Sequence, residues 1–301
     1  MKSYSVGIFY VLISAIGFSV KSVLVKLCYQ SAPVDAVSLL ALRMLFAFPF
    51  FIISLIWQQS RRAWIGWKDF GKIFFLAMLG YYLASIADFL GLRYVSASLE
   101  RIIVFTYPTF VFVITYVLYR KTPKWIQLIA LVLTYFGILI AYSEEIQHVE
   151  HTQQTWKGVI LIFGSSLSYA FYLVGCGSII PRIGSGLFTA YAMGISCFQV
   201  LLHSFWDSQA SILGWTPLIY GYTILMGVLC TVIPTFALSK GIALLGSGNA
   251  SLIAGLGPIL TIGLAHHVLE EKITFLQIVG SLLVIVGVLI ISLGLGKQEG
   301  E

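Results

Sequence analysis

GLRYVSASLERIIVFTYP, running from Gly91 to Pro108, and GIALLGSGNASLIAGLGP, running from Gly241 to Pro258, decide the fold of this chain. Laid one on the other without a gap they are shifted by 150 residues, and the same shift sets Gln127 on Gln277 and Gly137 on Gly287. Towards the amino terminus the shift becomes 151 and sets Gly7 on Gly158 and Ser14 on Ser165. The chain therefore carries a copy of its own first half. A hydrocarbon core about 30 Å thick takes about 20 apolar residues per helix. Ten such spans are expected, near 5–28, 35–57, 72–92, 96–118, 125–142, 158–178, 186–206, 216–238, 246–269 and 274–295. Five spans per copy is an odd number, so the second copy is inverted relative to the first. The expected fold is all-α and integral to a membrane. Ten transmembrane helices form two inverted five-helix repeats, 1–142 and 158–301, joined by an extracytoplasmic linker, 143–157. Inverted repeats build alternating-access transporters, with cargo held between the halves near the bilayer midplane.

Composition agrees. Residues are 59% hydrophobic and only 10% charged, where a soluble domain carries about 25% charged residues. The longest connections, 58–71 and 143–157, leave no soluble domain for a nucleotide or a catalytic centre. With the amino terminus in the cytoplasm, eleven Lys and Arg fall in inner loops and tails, and only Arg93, Lys157 and Lys272 in outer loops. That asymmetry places both termini in the cytoplasm. It also makes the net charge of +6 a matter of topology and anionic headgroups, not of nucleic acid. No cleavable signal peptide is expected, because the first apolar stretch is too long and no small-residue cleavage site follows it. The loop QQSRRAWIGWKDFGK mixes Trp64 and Trp67 with Arg61, Arg62 and Lys68, which suits the headgroup layer. In the linker, Glu145, His148 and His151 lack a fourth ligand, so no metal site is expected. Cys28, Cys176, Cys197 and Cys230 lie within spans, without metal or redox spacing, and read as packing residues.

Pro108 and Pro258 each fall about twelve residues into a span, near the midplane. Proline frees a carbonyl one turn back, and in lipid such a break is tolerated where protein or a wet cavity satisfies it. Breaks at matching places in two inverted copies point to a cavity between the fourth and ninth spans. Gly241, Gly246, Gly248, Gly255 and Gly257 crowd the approach to the ninth span and allow close helix packing.

Ionisable residues inside spans are functional candidates by default. Besides histidine there are six: Lys21, Lys26, Arg43, Asp88, Glu100 and Arg101. All belong to the first copy and to its outer half, and together they sum to +2. Their counterparts in the second copy are uncharged where Lys21 becomes Tyr172, Asp88 Leu238, Glu100 Ala250 and Arg101 Ser251. Asn249 supplies a neutral polar group on the inner side. The expectation is a net-positive outer vestibule and a neutral inner one, with Lys21 and Arg43, the deepest cations, lining the path. Lys26 is close enough to the surface to snorkel. Glu100 and Arg101 point to different helix faces, so Asp88 has Arg101 or Lys26 as a candidate partner. His266 and His267 sit near the outer end of the ninth span, and Tyr81, Tyr82, Tyr107, Tyr169, Tyr172 and Tyr191 are further pocket candidates.

Ten spans as five plus five, Gly17-Phe18-Ser19 followed by Lys26, Arg43 in the second span, and Tyr94-Val95-Ser96-Ala97-Ser98 leading to Pro108 resemble the drug/metabolite transporter superfamily. Within it the resemblance is to the ten-helix EamA-like transporter family, over the whole chain. It implies two inverted five-helix repeats, with the fifth and tenth helices peripheral and implicated in association, hence a homodimer. It also implies outward movement of amino acids, nucleobases, vitamins, drugs and other small metabolites. By position, Lys26 and Arg43 match the family's basic residues, and Pro108 and Pro258 its prolines. Two departures stand out. Ile16 replaces an aromatic residue, and Arg120-Lys121 replace the acidic residue that closes the fourth helix, which survives in the second copy as Glu270-Glu271.

The expected function is a secondary transporter of the bacterial inner membrane, multi-pass and embedded in lipid. It would move small organic metabolites bearing a carboxylate or phosphate, amino-acid-like compounds among them, by alternating access and outward. Lys21, Arg43, Tyr82, Tyr172 and Asn249 are the expected substrate-binding residues; Asp88, Glu100, Arg101, Pro108 and Pro258 the gating or coupling ones, with a proton or a counter-substrate as the coupled species. No cofactor, metal or nucleic acid is implied, and no catalytic constellation stands at suitable depth, so an enzyme is not expected. Two alternatives stay open: a proton-coupled exporter of cationic or amphipathic drugs using Asp88 or Glu100, and a membrane receptor or sensor.

Overall fold

A computed structural model of the chain describes residues 2–60, 65–119, 125–148, 152–207, 210–254 and 257–296. Eleven helices account for nearly all of it. They are α1 (Lys2–Ser31), α2 (Ala36–Gln59), α3 (Trp67–Gly91), α4 (Ala97–Val104), α5 (Tyr107–Tyr119), α6 (Trp125–His148), α7 (Thr152–Ile183), α8 (Ser185–Trp206), α9 (217–254), α10 (Gly257–Leu269) and α11 (Phe275–Gly296). Seven apolar stretches of helix are long enough to cross a membrane: Ser5–Ser31, Ala36–Gln59, Trp67–Gly91, Ala97–Leu118, Gln154–Ile183, Ser185–Trp206 and Pro217–Leu245. Three shorter apolar helices, Leu128–Ala141, Gly257–Leu269 and Phe275–Gly287, accompany them.

Local chemistry sets the ends. Asp35 precedes α2 and accepts from the Ser38 amide at 2.8 Å, and Ser96 precedes α4 and accepts from the Leu99 amide at 3.1 Å; each satisfies a donor that has no partner within its helix. Pro217 opens α9, where its missing N–H removes nothing. Gly184 joins α7 to α8 with φ of 85°, a backbone that a side chain would strain.

In three places the helices depart from the expected spans. Residues 217–254 form helix through the expected turn between the eighth and ninth spans, with no proline in SKGIALL to end it. Helix is described again from Gly257, the residue before Pro258. Helix also enters both ends of the expected linker, α6 reaching His148 and α7 starting at Thr152. Third, α3 begins at Trp67, inside the expected headgroup loop; that ring is exposed and stacked on Phe70 at 5.5 Å. Arg61, Arg62, Trp64 and His151, and the side chains of Glu145 and His148, lie outside what is described.

The fourth span bends where proline predicts. Pro108 cannot donate to the carbonyl of Val104, and the chain turns at Phe105 and Thr106 between α4 and α5. Ser166 of α7 donates to that Val104 oxygen at 3.1 Å and lies 3.0 Å from the Thr106 hydroxyl. Neighbouring helix thus replaces the bond that proline removes.

Two π-helical turns, unannounced by any residue pattern, interrupt α3 at Met78–Leu83 and α9 at Val228–Val232, 150 residues apart. Each leaves carbonyls facing a neighbour. Ser168 donates to Leu79 O at 2.7 Å, while Gly17 lies so close to Leu229 O that a Cβ there would stand 2.9 Å from it.

Packing is tightest where glycines face backbone. A Cβ at Gly137 of α6 would lie 2.6 Å from Gly280 O of α11, and one at Gly280 would lie 2.5 Å from Gly137 O. Helix α1 meets α9 in the same manner, through Gly7 against Leu245 and Gly241 against Val11. Elsewhere Phe51, Phe89, Phe188, Leu39 and Met44 fill a core between α2, α3, α7 and α8. The four cysteines are buried and unbridged. Apolar side chains such as Phe9, Ile53, Val117, Val132 and Phe205 face outward, as lipid-facing surfaces require.

Candidate functional site

A cavity of about 120 Å³ opens between the helices, room for several waters or part of a small metabolite. Its wall draws on α1 (Ser14, Phe18, Lys21), α2 (Arg43), α3 (Gly80, Tyr81, Ala84, Ser85, Asp88) and the bend between α4 and α5 (Arg101, Val104, Phe105, Tyr107). Helices α7 (Ser165, Ser166, Tyr169) and α9 (Leu238, Ala254) close it. Both halves of the chain therefore contribute, but every charged lining residue comes from the first.

Those charges are already partly spoken for. Lys21 donates to Asp88 Oδ2 at 2.5 Å and stands 3.7 Å from Glu100 Oε1. Glu100 is fully buried, while Arg101, one residue on and about 100° round the helix, turns to the cavity. Asp88 therefore pairs with Lys21, and not with Lys26 or Arg101. Arg43 is only 4% exposed, yet no described carboxylate lies within ion-pair distance of it. Its Nε donates to Thr231 of α9 at 2.7 Å, and its guanidinium carbon lies 5.4 Å from the centre of the Phe89 ring. One edge of the guanidinium is thus fixed. Arg101 likewise has no described carboxylate at ion-pair distance and rests against Gly257, the first residue of α10. A Cβ at Gly257 would come 3.0 Å from its Nη2, so the glycine leaves room for the guanidinium. Ser19 donates to Gly257 O at 3.1 Å.

Taken as ionised, three cations and two carboxylates leave one net positive charge around the cavity, in a wall otherwise apolar and aromatic. Tyr107 and Tyr169 meet edge to face at 5.4 Å, and Tyr81 joins Tyr172 at 4.9 Å. Of the expected substrate-binding residues, Lys21 and Arg43 line the cavity. Tyr172 lies behind it, packed on Gly80 and Tyr81. Tyr82 turns away, its hydroxyl 3.2 Å from His203 Nδ1. The Asn249 side chain lies outside the described ones. Of the expected gating residues, Asp88 and Arg101 line the wall, Glu100 sits behind Lys21, Pro108 follows the turn at Phe105 and Thr106, and Pro258 lies in the first turn of α10. Tyr191 is distant and bonded to Gln59 at 2.7 Å.

Sequence reasoning did not pick out Ser165, Ser166, Ser14, Ser85, Phe18 and Phe105 as lining residues. A signal existed for two of them: Ser14 and Ser165 are repeat mates, and both reach the cavity. Nor did it see what Glu271 does. This carboxylate, between α10 and α11, accepts from the Ala97 amide at 2.9 Å, the Ser98 amide at 3.2 Å and the Ser98 hydroxyl at 2.6 Å. It caps the start of α4 from the other half of the chain, where a helix end favours an anion. His266 Nδ1 lies 2.9 Å from Glu271 O.

The EamA-like transporter family matches residues 5–143 and again residues 156–293. Among curated proteins, the uncharacterized transporter YcbK of Bacillus subtilis is 32% identical over 312 residues, covering 99% of this chain and 97% of its own. The uncharacterized transporter sll1319 of Synechocystis sp. is 24% identical, covering 92% of this chain and 90% of its own. A solved structure described only as "Crystal structure of protein" superposes with a TM-score of 0.66 at 10% identity, over 100% of this chain and 99% of that one. At that identity the likeness is one of fold.

Proposed function

This chain belongs to the EamA-like transporter family, and on that premise we propose that it is a secondary transporter exporting small organic metabolites that carry a carboxylate or phosphate. It is a multi-pass inner-membrane protein. Ten crossings with both termini in the cytoplasm complete the reading, and the seven long and three shorter apolar helices support that number. The halves 1–142 and 158–301 act as inverted repeats that rock about the cavity between them. The π-helical turns 150 residues apart support that division. So do prolines at matching places in the two copies, Pro108 and Pro258.

The observation that carries the substrate class is the state of the cations. Lys21 is neutralised by Asp88, whereas Arg43 and Arg101 reach the same cavity without a described carboxylate partner. A guanidinium held by one edge offers the other to a carboxylate or phosphate in a paired geometry. Reading the cargo as a cationic drug would call for a cavity carboxylate free of a basic partner, and Asp88 has Lys21 at 2.5 Å. Transport, with this cavity as the binding site, is favoured over an enzyme or a receptor.

The test is thermal stabilisation of the purified protein by panels of carboxylates, phosphates and cations. A ligand at about 100 times its Kd adds about 2.7 kcal/mol. Stabilisation by anions, abolished in Arg43→Gln and retained in Tyr82→Phe, is the expected pattern. Stabilisation by cations alone would sink the anion reading, and binding without flux into liposomes would favour a sensor.

A further inference from the structure

We propose that Asp88 and Glu100 form a proton-binding site, with Glu100 carrying the proton and Asp88 as its hydrogen-bond partner. The inference rests on the reading of the cavity as an anion site and names the species coupled to it.

Three carboxyl oxygens carry the argument. Asp88 Oδ1, Glu100 Oε1 and Glu100 Oε2 are buried and have no hydrogen-bond partner among the described residues. A buried polar atom without a partner is uncommon in native proteins and calls for an explanation. Here two carboxyl groups share a single ammonium. Lys21 bonds Asp88 at 2.5 Å and stands 3.7 Å from Glu100, beyond hydrogen-bond reach. Asp88 is thus the ion of the pair. Glu100, 0% exposed, accepts no hydrogen bond from a described residue. Both carboxyl groups face the same Lys21 ammonium, which sets them side by side where a proton on one can be shared with the other. A hydrogen on a Glu100 oxygen, donated to Asp88 Oδ1, gives two of the three oxygens a partner at one stroke. Without it, the second carboxylate is a buried charge with incomplete compensation, which is strongly unfavourable.

Among the described residues, nothing in the surroundings does the same work. Around the pair, α1 presents Lys21, α2 Arg43 and α4 Arg101. On α7 the cavity-facing polar groups are Ser165, Ser166 and Tyr169. Helix α6 presents Tyr135, whose ring packs with the apolar side of α4. The titratable residues of α10, His266 and His267, are exposed at its end, and Glu271 is engaged with Ala97 and Ser98. Glu100 does not line the cavity, but Asp88 and Lys21 do. A proton therefore reaches Glu100 through Asp88, adding to a carboxylate oxygen on binding and leaving the O–H bond on release, with no other bond changed.

This placement has a consequence for transport. A proton on Glu100 removes one negative charge from beside the cavity, and so strengthens its hold on an anion. By reciprocity, an anion at Arg43 and Arg101 strengthens the hold on the proton. Anion and proton therefore favour each other's binding.

Infrared spectra of the full-length protein in lipid, recorded from acid to alkaline buffer, test the site directly. The expected result is a protonated-carboxyl carbonyl band in the wild type that loses one carboxyl equivalent in Glu100→Gln. In Asp88→Asn the band persists but moves in frequency, because its hydrogen-bond acceptor has changed. Should Glu100→Gln fail to fold, Glu100→Asp keeps the carboxyl on a shorter arm and shifts the band. Equal band intensity in wild type and Glu100→Gln at every pH, or an unmoved band in Glu100→Asp, overturns the proposal. A band abolished by Asp88→Asn alone overturns the assignment to Glu100. No cargo is needed for these spectra. A missing band therefore leaves anion transport standing, and a band seen without any anion-dependent stabilisation refutes only the anion reading.

Discussion

Replacing Lys21 by Met removes the ammonium that pairs with Asp88 and stands near Glu100. At an effective dielectric constant of about 20, unit charges 2.5 Å apart attract by about 7 kcal/mol. The desolvation of Lys21, whose side chain is 12% exposed, and of Asp88 offsets much of that. The net loss on breaking a buried pair from one side is about 3–5 kcal/mol, because a charge remains without a partner. Met preserves the length and apolar stem of the lysine, so packing changes little. Removing the stranded charge as well, in Lys21→Met with Asp88→Asn, should restore most of the loss. The assay is a double-mutant cycle by SDS unfolding in mixed micelles, with helix content and intrinsic fluorescence as probes. Expected are a single variant weakened by about 3–5 kcal/mol and a coupling energy of similar size between the two positions. A Lys21→Met protein within about 0.5 kcal/mol of wild type, or a double variant no better than the single one, would refute the reasoning.

Three further outcomes follow from the same geometry. Ser166→Ala leaves the Val104 carbonyl at the Pro108 bend unsatisfied; it should destabilise by about 1–3 kcal/mol, measured by the same unfolding, and a neutral result would mean that the bend is satisfied some other way. Gly137→Leu drives a side chain into Gly280 O of α11, so a loss at or above the ~1–3 kcal/mol typical of overpacking is expected, with faster proteolysis of α11; wild-type behaviour would disprove the close contact. Glu271→Ala strips three hydrogen bonds from the start of α4. Amide exchange should accelerate at Ala97 and Ser98 while Leu99, held by Ser96, stays slow; equal acceleration at Leu99 would contradict separate caps.

Length and apolarity made the apolar helices legible before any coordinates, and Pro108 announced the bend in the fourth span. The deep cations Lys21 and Arg43 were also legible, because charge in a span is conspicuous. Pairing was not. Whether Asp88 meets Lys21, Lys26 or Arg101 depends on how α1, α3 and α4 are rotated about their axes, and one residue changes a direction by about 100°. The π-helical turns at Met78–Leu83 and Val228–Val232 were invisible for another reason: an i→i+5 turn has no residue preference that marks it. Residues 239–245 were expected to connect the eighth and ninth spans, but they are helical, and no proline there stops the helix. Glu271 reaches Ala97 over a separation of 174 residues, and no local pattern reports such a contact.

The seam between Gly137 of α6 and Gly280 of α11 has a mechanical meaning. Where two main chains touch with no side chain between them, there is nothing compressible to give and no rotamer to change. Such a line can twist, but it can neither part nor slide without breaking contact along its length. It acts like the spine of a book whose two covers are the halves of the chain. In the alternating-access reading, cargo is admitted by the pages fanning open away from the spine, and the amplitude available to it grows with distance from α6 and α11.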